Sequence, residues 1–144
     1  GLEQALDIWS REGYSFVIVT NQGGIAKGLY YKNDVEDINV FLRSWFESRK
    51  LNLLNILYCP HHNAIEHCIC RKPNSLMLEK IIARYAVSVE HSFMIGDSDR
   101  DVQAANKVGL RAFKIKANKR LFSAITPDRE CPASLRISGL LSVS

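Results

Sequence analysis

A chain of 144 residues with 47% apolar and 24% charged side chains holds enough material for one buried core, which excludes a disordered or low-complexity protein. Its net charge of +4 is scattered, with no stripe of Lys and Arg along a helix, and this argues against a nucleic-acid partner. No apolar run reaches the roughly 18 residues of a membrane span and no signal peptide opens the sequence, so no membrane role is expected and the expected compartment is the cytoplasm.

Leu2, Ala5, Leu6 and Trp9 recur at helical spacing, and Gly13 follows where a left-handed cap would end the turn, so residues 2–12 are predicted as a helix. Ser15 to Thr20, SFVIVT, is a short apolar run rich in branched side chains, as in a strand covered on both faces. It stops at NQGGIAKG, where three glycines permit the close backbone approaches that a ligand-gripping loop needs. Asn33 and Glu36 have the spacing of a capping box, and Val35, Ile38, Phe41, Leu42, Trp45 and Phe46 follow as one apolar helical face. Asn55 to Tyr58 reads as a second strand. A helix after Pro73 carries Leu78, Ile81, Ile82 and Tyr85, and a third strand, Ser92 to Ile95, runs into GDSDRD. The next helix ends at Gly109, and Leu110 to Ile115 makes a fourth strand. Beyond Lys116, Pro127 and Pro132 interrupt the pattern, and ISGLLSV reads at most as a weak edge element. The expected organisation is one domain over residues 1–116 and an irregular tail over 117–144.

Helices alternating with short apolar strands predict a doubly wound α/β fold around a parallel sheet. Such sheets take ligands beyond the carboxyl ends of their strands, which selects the loops after Thr20, Tyr58 and Ile95.

The second of these loops, YCPHHNAIEHCICRKP, concentrates three of the four cysteines and three of the four histidines. Cys59 and His61 are two apart, as are Cys68 and Cys70, so each pair can close on one ion. A closed Cys3His set of borderline-soft ligands predicts structural zinc. His62 and His67 compete with His61 for the nitrogen position, and a metal-free loop or a Cys59–Cys68 disulfide is the alternative.

In the other loops, the Thr20 hydroxyl can donate to a phosphate oxygen beside accessible backbone amides. Lys72, next to Arg71 and held by Pro73, adds a cation. Asp97, directly after a strand, suits a hard ion such as magnesium, while Asp99 and Asp101 fall in the first helical turn, where a carboxylate can serve simply as a cap.

VIVTNQ, CRKP and MIGDSDRD, in this order and at these strand ends, resemble the hydroxyl, lysine and acidic motifs of the haloacid dehalogenase superfamily of phosphohydrolases. The Cys/His loop is similar to that of its zinc-loop branch, which acts on heptose bisphosphate and histidinol phosphate. The resemblance covers roughly residues 1–116. It implies magnesium-dependent hydrolysis of a small phosphorylated sugar through an aspartyl-phosphate. Thr20 would bind the phosphoryl oxygens, Lys72 would offset charge, Asp97 would hold Mg²⁺ and Asp101 would orient that site. Asn21, Gln22 and Arg71 would grip the rest of the substrate.

The chain departs from the family in two ways. Gly23 and Lys27 stand in TNQGGIAKG where the family usually has Ser and Arg, which puts some substrate contacts in doubt. The family also opens with an apolar strand ending in DxD, whose first Asp is the nucleophile. Here Asp99-Arg100-Asp101 has that spacing, but it lies inside the magnesium motif and cannot fill both roles. The missing strand would be central, between those ending at Thr20 and Gly96. Those two strands could close up, the tail or a second copy could fill the gap, or the sequence could be a fragment, which is the expectation here. A complete protein is then expected as a monomer, with self-association if the central strand is truly absent.

Overall fold

A computed structural model describes residues 1–116 and 137–141. In chain order these form α1 (Leu2–Arg11), β1 (Ser15–Asn21), α2 (Lys32–Ser48), β2 (Leu53–Cys59), α3 (Leu76–Tyr85), β3 (Phe93–Gly96), α4 (Asp99–Lys107), β4 (Arg111–Lys114) and β5 (Ile137–Leu141), with a short 3-10 turn at Val89–His91 before β3. The strands make one sheet in the order β2-β1-β5-β3-β4, and every pairing is parallel.

Because successive side chains leave a strand on opposite faces, the buried strands feed two cores. Phe16, Ile18, Phe93 and Ile95 face Ala5, Leu6 and Trp9 of α1 and Phe46 of α2. Val17, Val19 and Met94 face Met77, Leu78 and Ile81 of α3 and Ala104 and Ala105 of α4. A sheet covered on both sides needs such continuous apolar strands, and β1 is buried from Phe16 to Thr20. Gly13 and Gly109 close α1 and α4 with φ of 87° and 77°, the left-handed conformation in which a side chain is strained.

Two readings of the sequence are corrected. In α2, Val35, Asn39 and Phe46 are buried, whereas Ile38 and Phe41 are 58% and 65% exposed. The six apolar residues span two adjacent stripes of the helix, and only the stripe spaced four, seven and eleven residues after Val35 can face a sheet. The capping carboxylate is also different. Asp34 accepts the Tyr31 amide at 2.7 Å, while Glu36 accepts the Tyr58 hydroxyl at 2.6 Å.

The second correction concerns ISGLLSV, expected at an edge. Its residues Ile137–Leu141 form β5 at the centre of the sheet, with Leu140 and Leu141 in register with Val17 and Ile18 on one side and with Met94 and Ile95 on the other. The tail thus fills the gap between the strands that end at Thr20 and Gly96. The rest of the expected irregular tail, 117–136 and 142–144, lies outside the described residues.

Candidate active site and metal centre

The carboxyl ends of β1, β2 and β3 bring the three selected loops together. At their centre Lys72, 2% exposed, sends its Nζ across to β1, donating to the Val19 carbonyl at 2.8 Å and to Asp101 Oδ1 at 2.6 Å. The other oxygen of Asp101 accepts the Ser98 amide at 3.1 Å. That pairing closes a capping box, in which the Ser98 hydroxyl accepts the Arg100 amide. Gly96 is required beneath it, because a Cβ there would run into the Asp101 carboxylate. Burial pushes the Lys72 ammonium below the ordinary lysine range, against the pull of Asp101 and Asp97.

Lys72 is aimed by Asn21, whose amide donates to the Lys72 carbonyl and accepts the Lys72 amide, both at 3.0 Å. Gln22 donates to the Thr20 hydroxyl at 3.1 Å and accepts from Tyr30 Oη at 2.7 Å. The Tyr30 ring lies so close to Gly24 that no Cβ fits there. Neither the positioning by Asn21 nor the contribution of Tyr30 was foreseen from sequence, since both depend on contacts across the chain.

Beside this pair opens a cavity of about 430 Å³. Its cationic lining comes from Arg71, Lys72, Arg100 and Lys114, and its acidic lining from Asp97, Asp99 and Asp101. Ser98 caps α4, so Asp97 is not consumed as a cap and stands exposed at the end of β3. Asp99, expected as a simple cap, pairs instead with Lys114 at 2.7 Å. Arg71 is buried and donates from Nη1 to the His61 carbonyl at 3.0 Å.

Behind Arg71 lies the Cys/His cluster. The ligand atoms of Cys59, His61, Cys68 and Cys70 all lie within 4.8 Å of one another. Cys59 Sγ is 3.1 Å from Cys70 Sγ and 3.6 Å from Cys68 Sγ, and His61 Nδ1 is 3.5 Å from Cys59 and 3.3 Å from Cys70. Ligands about 2.3 Å from a tetrahedral ion stand about 3.7 Å apart, so this donor set fits zinc, whereas a disulfide needs about 2.0 Å. Cys59, Cys68 and Cys70 are all free thiols. Burial, then the hydrogen bond from Cys70, drives the Cys59 thiol far above its ordinary value. Burial acts the same way on Cys68, but hydrogen bonds from the Arg71 amide and from Cys59 and Cys70 outweigh it and bring that thiol down. A bound cation would hold these thiols as thiolates, since metal binding releases their protons. The structure also separates the candidate histidines. His61 points into the cluster, while His62 turns out, its Nδ1 accepting the Ala64 amide at 3.1 Å.

Fold and donor set together define a doubly wound α/β domain with a thiolate-stapled loop beside a polar site. A family model described as "HAD-hyrolase-like" matches residues 69–126. The chain is 30% identical over 123 residues to D-glycero-alpha-D-manno-heptose-1,7-bisphosphate 7-phosphatase of Photorhabdus laumondii, covering 81% of this chain and 65% of that protein. It is 32% identical to D-glycero-beta-D-manno-heptose-1,7-bisphosphate 7-phosphatase of Haemophilus ducreyi, covering 99% of this chain and 80% of that one. Among solved structures, the D,D-heptose 1,7-bisphosphate phosphatase of B. bronchiseptica, complexed with magnesium and phosphate, superposes with a TM-score of 0.68 at 30% identity. That match covers 77% of this chain and 62% of that one. This chain belongs to the haloacid dehalogenase-like phosphatase family. It spans less than two thirds of the length of the P. laumondii and B. bronchiseptica relatives it matches.

Proposed function

We propose that the chain is the larger part of a magnesium-dependent phosphatase that removes a phosphoryl group from a small phosphorylated sugar, D-glycero-D-manno-heptose 1,7-bisphosphate foremost. The observation that carries this reading is the buried Lys72–Asp101 pair, which holds a fixed ammonium at the wall of a cavity whose rim exposes Asp97. Asp97 would hold Mg²⁺, which when bound offsets charge on the phosphoryl oxygens. The Thr20 hydroxyl, steadied by Gln22, donates to a phosphoryl oxygen, and Lys72 Nζ lies where negative charge builds as the phosphoryl group moves. Asp101 keeps that ammonium in place. Asn21 fixes the backbone that carries it, and Arg71 reaches toward the rest of the substrate. Cys59, His61, Cys68 and Cys70 would hold zinc, which locks the loop that supplies Arg71 and Lys72.

In this reading the carboxylate that accepts the phosphoryl group lies outside these 144 residues. β5 reads ISGLL and brings no carboxylate between β1 and β3. Among the described residues no helix is long and apolar enough to cross a membrane. We place the protein in the cytoplasm, where thiols stay reduced for a metal.

The test joins an apolar strand ending in DxD ahead of Gly1. Turnover should appear only then and vanish when its first Asp is changed to Asn. Heptose bisphosphate should surpass histidinol phosphate in kcat/KM. Magnesium-dependent turnover by the 144 residues alone, lost in Asp99→Asn, would overturn the assignment of GDSDRD. Preference for histidinol phosphate would overturn the substrate.

A further inference from the structure

The loop after β1 folds back onto its own start. The Gln22 amide donates to the Cys59 carbonyl at 2.7 Å and the Ala26 amide to the Pro60 carbonyl at 3.3 Å, which pins the loop to the end of β2. The Ile25 amide then donates to the Gln22 carbonyl, Lys27 to Gly23, Gly28 to Ile25 and Leu29 to Gly24, so a run of nested turns returns Tyr30 to Gln22. Gly28, with φ of 69°, takes the left-handed step within that run. The Tyr30 ring rests on Gly24, where no side chain fits.

This folding sets up two hydrogen bonds in series, from Tyr30 Oη to Gln22 Oε1 at 2.7 Å and from Gln22 Nε2 to Thr20 Oγ1 at 3.1 Å. Their direction matters. A carboxamide can be turned over at little steric cost, because its oxygen and its NH2 group are nearly the same size. Turned over, Gln22 Oε1 would accept the Thr20 hydroxyl hydrogen, and Thr20 could offer that hydrogen to nothing else. A phenol is a stronger donor than acceptor, since its oxygen lone pair is delocalised into the ring, so Tyr30 holds Oε1 on its own side and keeps Nε2 toward Thr20. The Thr20 oxygen then accepts from Gln22 and its hydrogen is left to point elsewhere. Thr20 is 4% exposed, and among the described residues no hydrogen bond uses that hydrogen. Lys72 Nζ rests on the carbonyl of Val19, the residue before Thr20, so ammonium and hydroxyl meet at one strand end.

We propose that Tyr30 is a positioning residue that acts through Gln22 to direct the Thr20 hydroxyl hydrogen toward the phosphoryl oxygens, with Gln22 as the relay and not as a grip on the rest of the substrate. This rests on the phosphatase reading, in which Thr20 binds those oxygens. Tyr30 acts on the site only through this series of bonds.

The test is calorimetric titration of the full chain with inorganic phosphate at fixed magnesium. Thr20→Val should weaken phosphate by about tenfold or more, the worth of one hydrogen bond to a charged group. Tyr30→Phe, which keeps the ring on Gly24 and removes only the hydroxyl, should weaken it by at least about threefold, and Gln22→Met, of similar length without an amide, by a similar factor. In a Thr20→Val background neither change should have a further effect, whereas with Thr20→Ser, which keeps a hydroxyl, the Tyr30→Phe loss should return. A Tyr30 that only supports the loop would weaken phosphate equally in all three backgrounds, and that result overturns the proposal. Wild-type affinity in Tyr30→Phe also overturns it and leaves the phosphatase reading intact. If the unaltered chain binds no phosphate, that reading falls first and this inference with it.

Discussion

Replacing Lys72 with Met should destabilise the fold by about 3–5 kcal/mol, as expected when one partner of a buried ion pair is removed. The methionine keeps most of the stem's volume, so the loss isolates the charge. Asp101, 2% exposed, would keep the Ser98 amide on one oxygen but lose the Lys72 ammonium from the other. It must then stay charged against an apolar wall or take up a proton. Either route costs several kcal/mol, a large share of the about 5–15 kcal/mol that holds a domain together. Urea titrations of wild type, Lys72→Met, Asp101→Asn and the double variant give the energies. The double variant should lose less than the two single variants summed, because neither orphan charge remains. The Lys72→Met defect should also shrink on going from pH 8 to pH 5, since the orphaned carboxyl has its folded-state pKa raised and loses its penalty as it protonates. A defect under about 1 kcal/mol, or one that is independent of pH, would refute the view of this pair as a desolvated unit.

In the unaltered protein, burial holds Lys72 below 10.5, so just under that value the unfolded chain binds more protons than the folded one. Stability from this group should therefore rise with pH through that window, and denaturant midpoints of wild type relative to Lys72→Met should climb there; a flat difference rejects the assignment. Protein purified without added metal should contain one zinc per chain by elemental analysis, with protease sensitivity appearing between residues 59 and 70 on chelation. Less than about a tenth of an equivalent with reduced thiols would remove zinc from the account. Gly96→Ala should cost about 1–3 kcal/mol by displacing the Asp101 carboxylate, and wild-type stability would mean that the carboxylate has room to move.

The strands were legible because a sheet buried on both faces forces unbroken apolar runs, and SFVIVT and FMIG supply such runs in segments too short for a buried helix. The Cys3His set was legible for a similar reason, since two pairs at fixed spacing can reach one ion only if the loop between them folds back. Choosing among His61, His62 and His67 was not possible from spacing. The choice depends on which ring points toward Cys59 and Cys70, and the Ala64 amide turns His62 away. In α2 the apolar count suggested a single face, but a helix meets a flat sheet along one narrow stripe, so Ile38 and Phe41 are left in solvent while Asn39 is buried.

Asn21 and β5 show where reading along the chain stops. Between two strand ends and a glycine-rich loop, an Asn looks like a substrate ligand. Only the fold brings Lys72 within 3.0 Å of both ends of its amide, 51 residues away in sequence, and converts it into a support for the lysine. ISGLL has a glycine at its middle and a short apolar span, which lowers its intrinsic strand preference. Its place is decided by its neighbours instead. β1 and β3 are each buried on both faces and leave a row of backbone donors and acceptors facing the gap between them, so any extended segment that can pair there is drawn in. The pairing stops at Ile18 and Ile95, short of Thr20 and Gly96, so β5 completes the sheet with a segment, ISGLL, that holds no carboxylate in its sequence. A strand that supplied both the pairing and a carboxylate at that level would compete for the same slot, with the same backbone bonds to gain and a metal ligand besides.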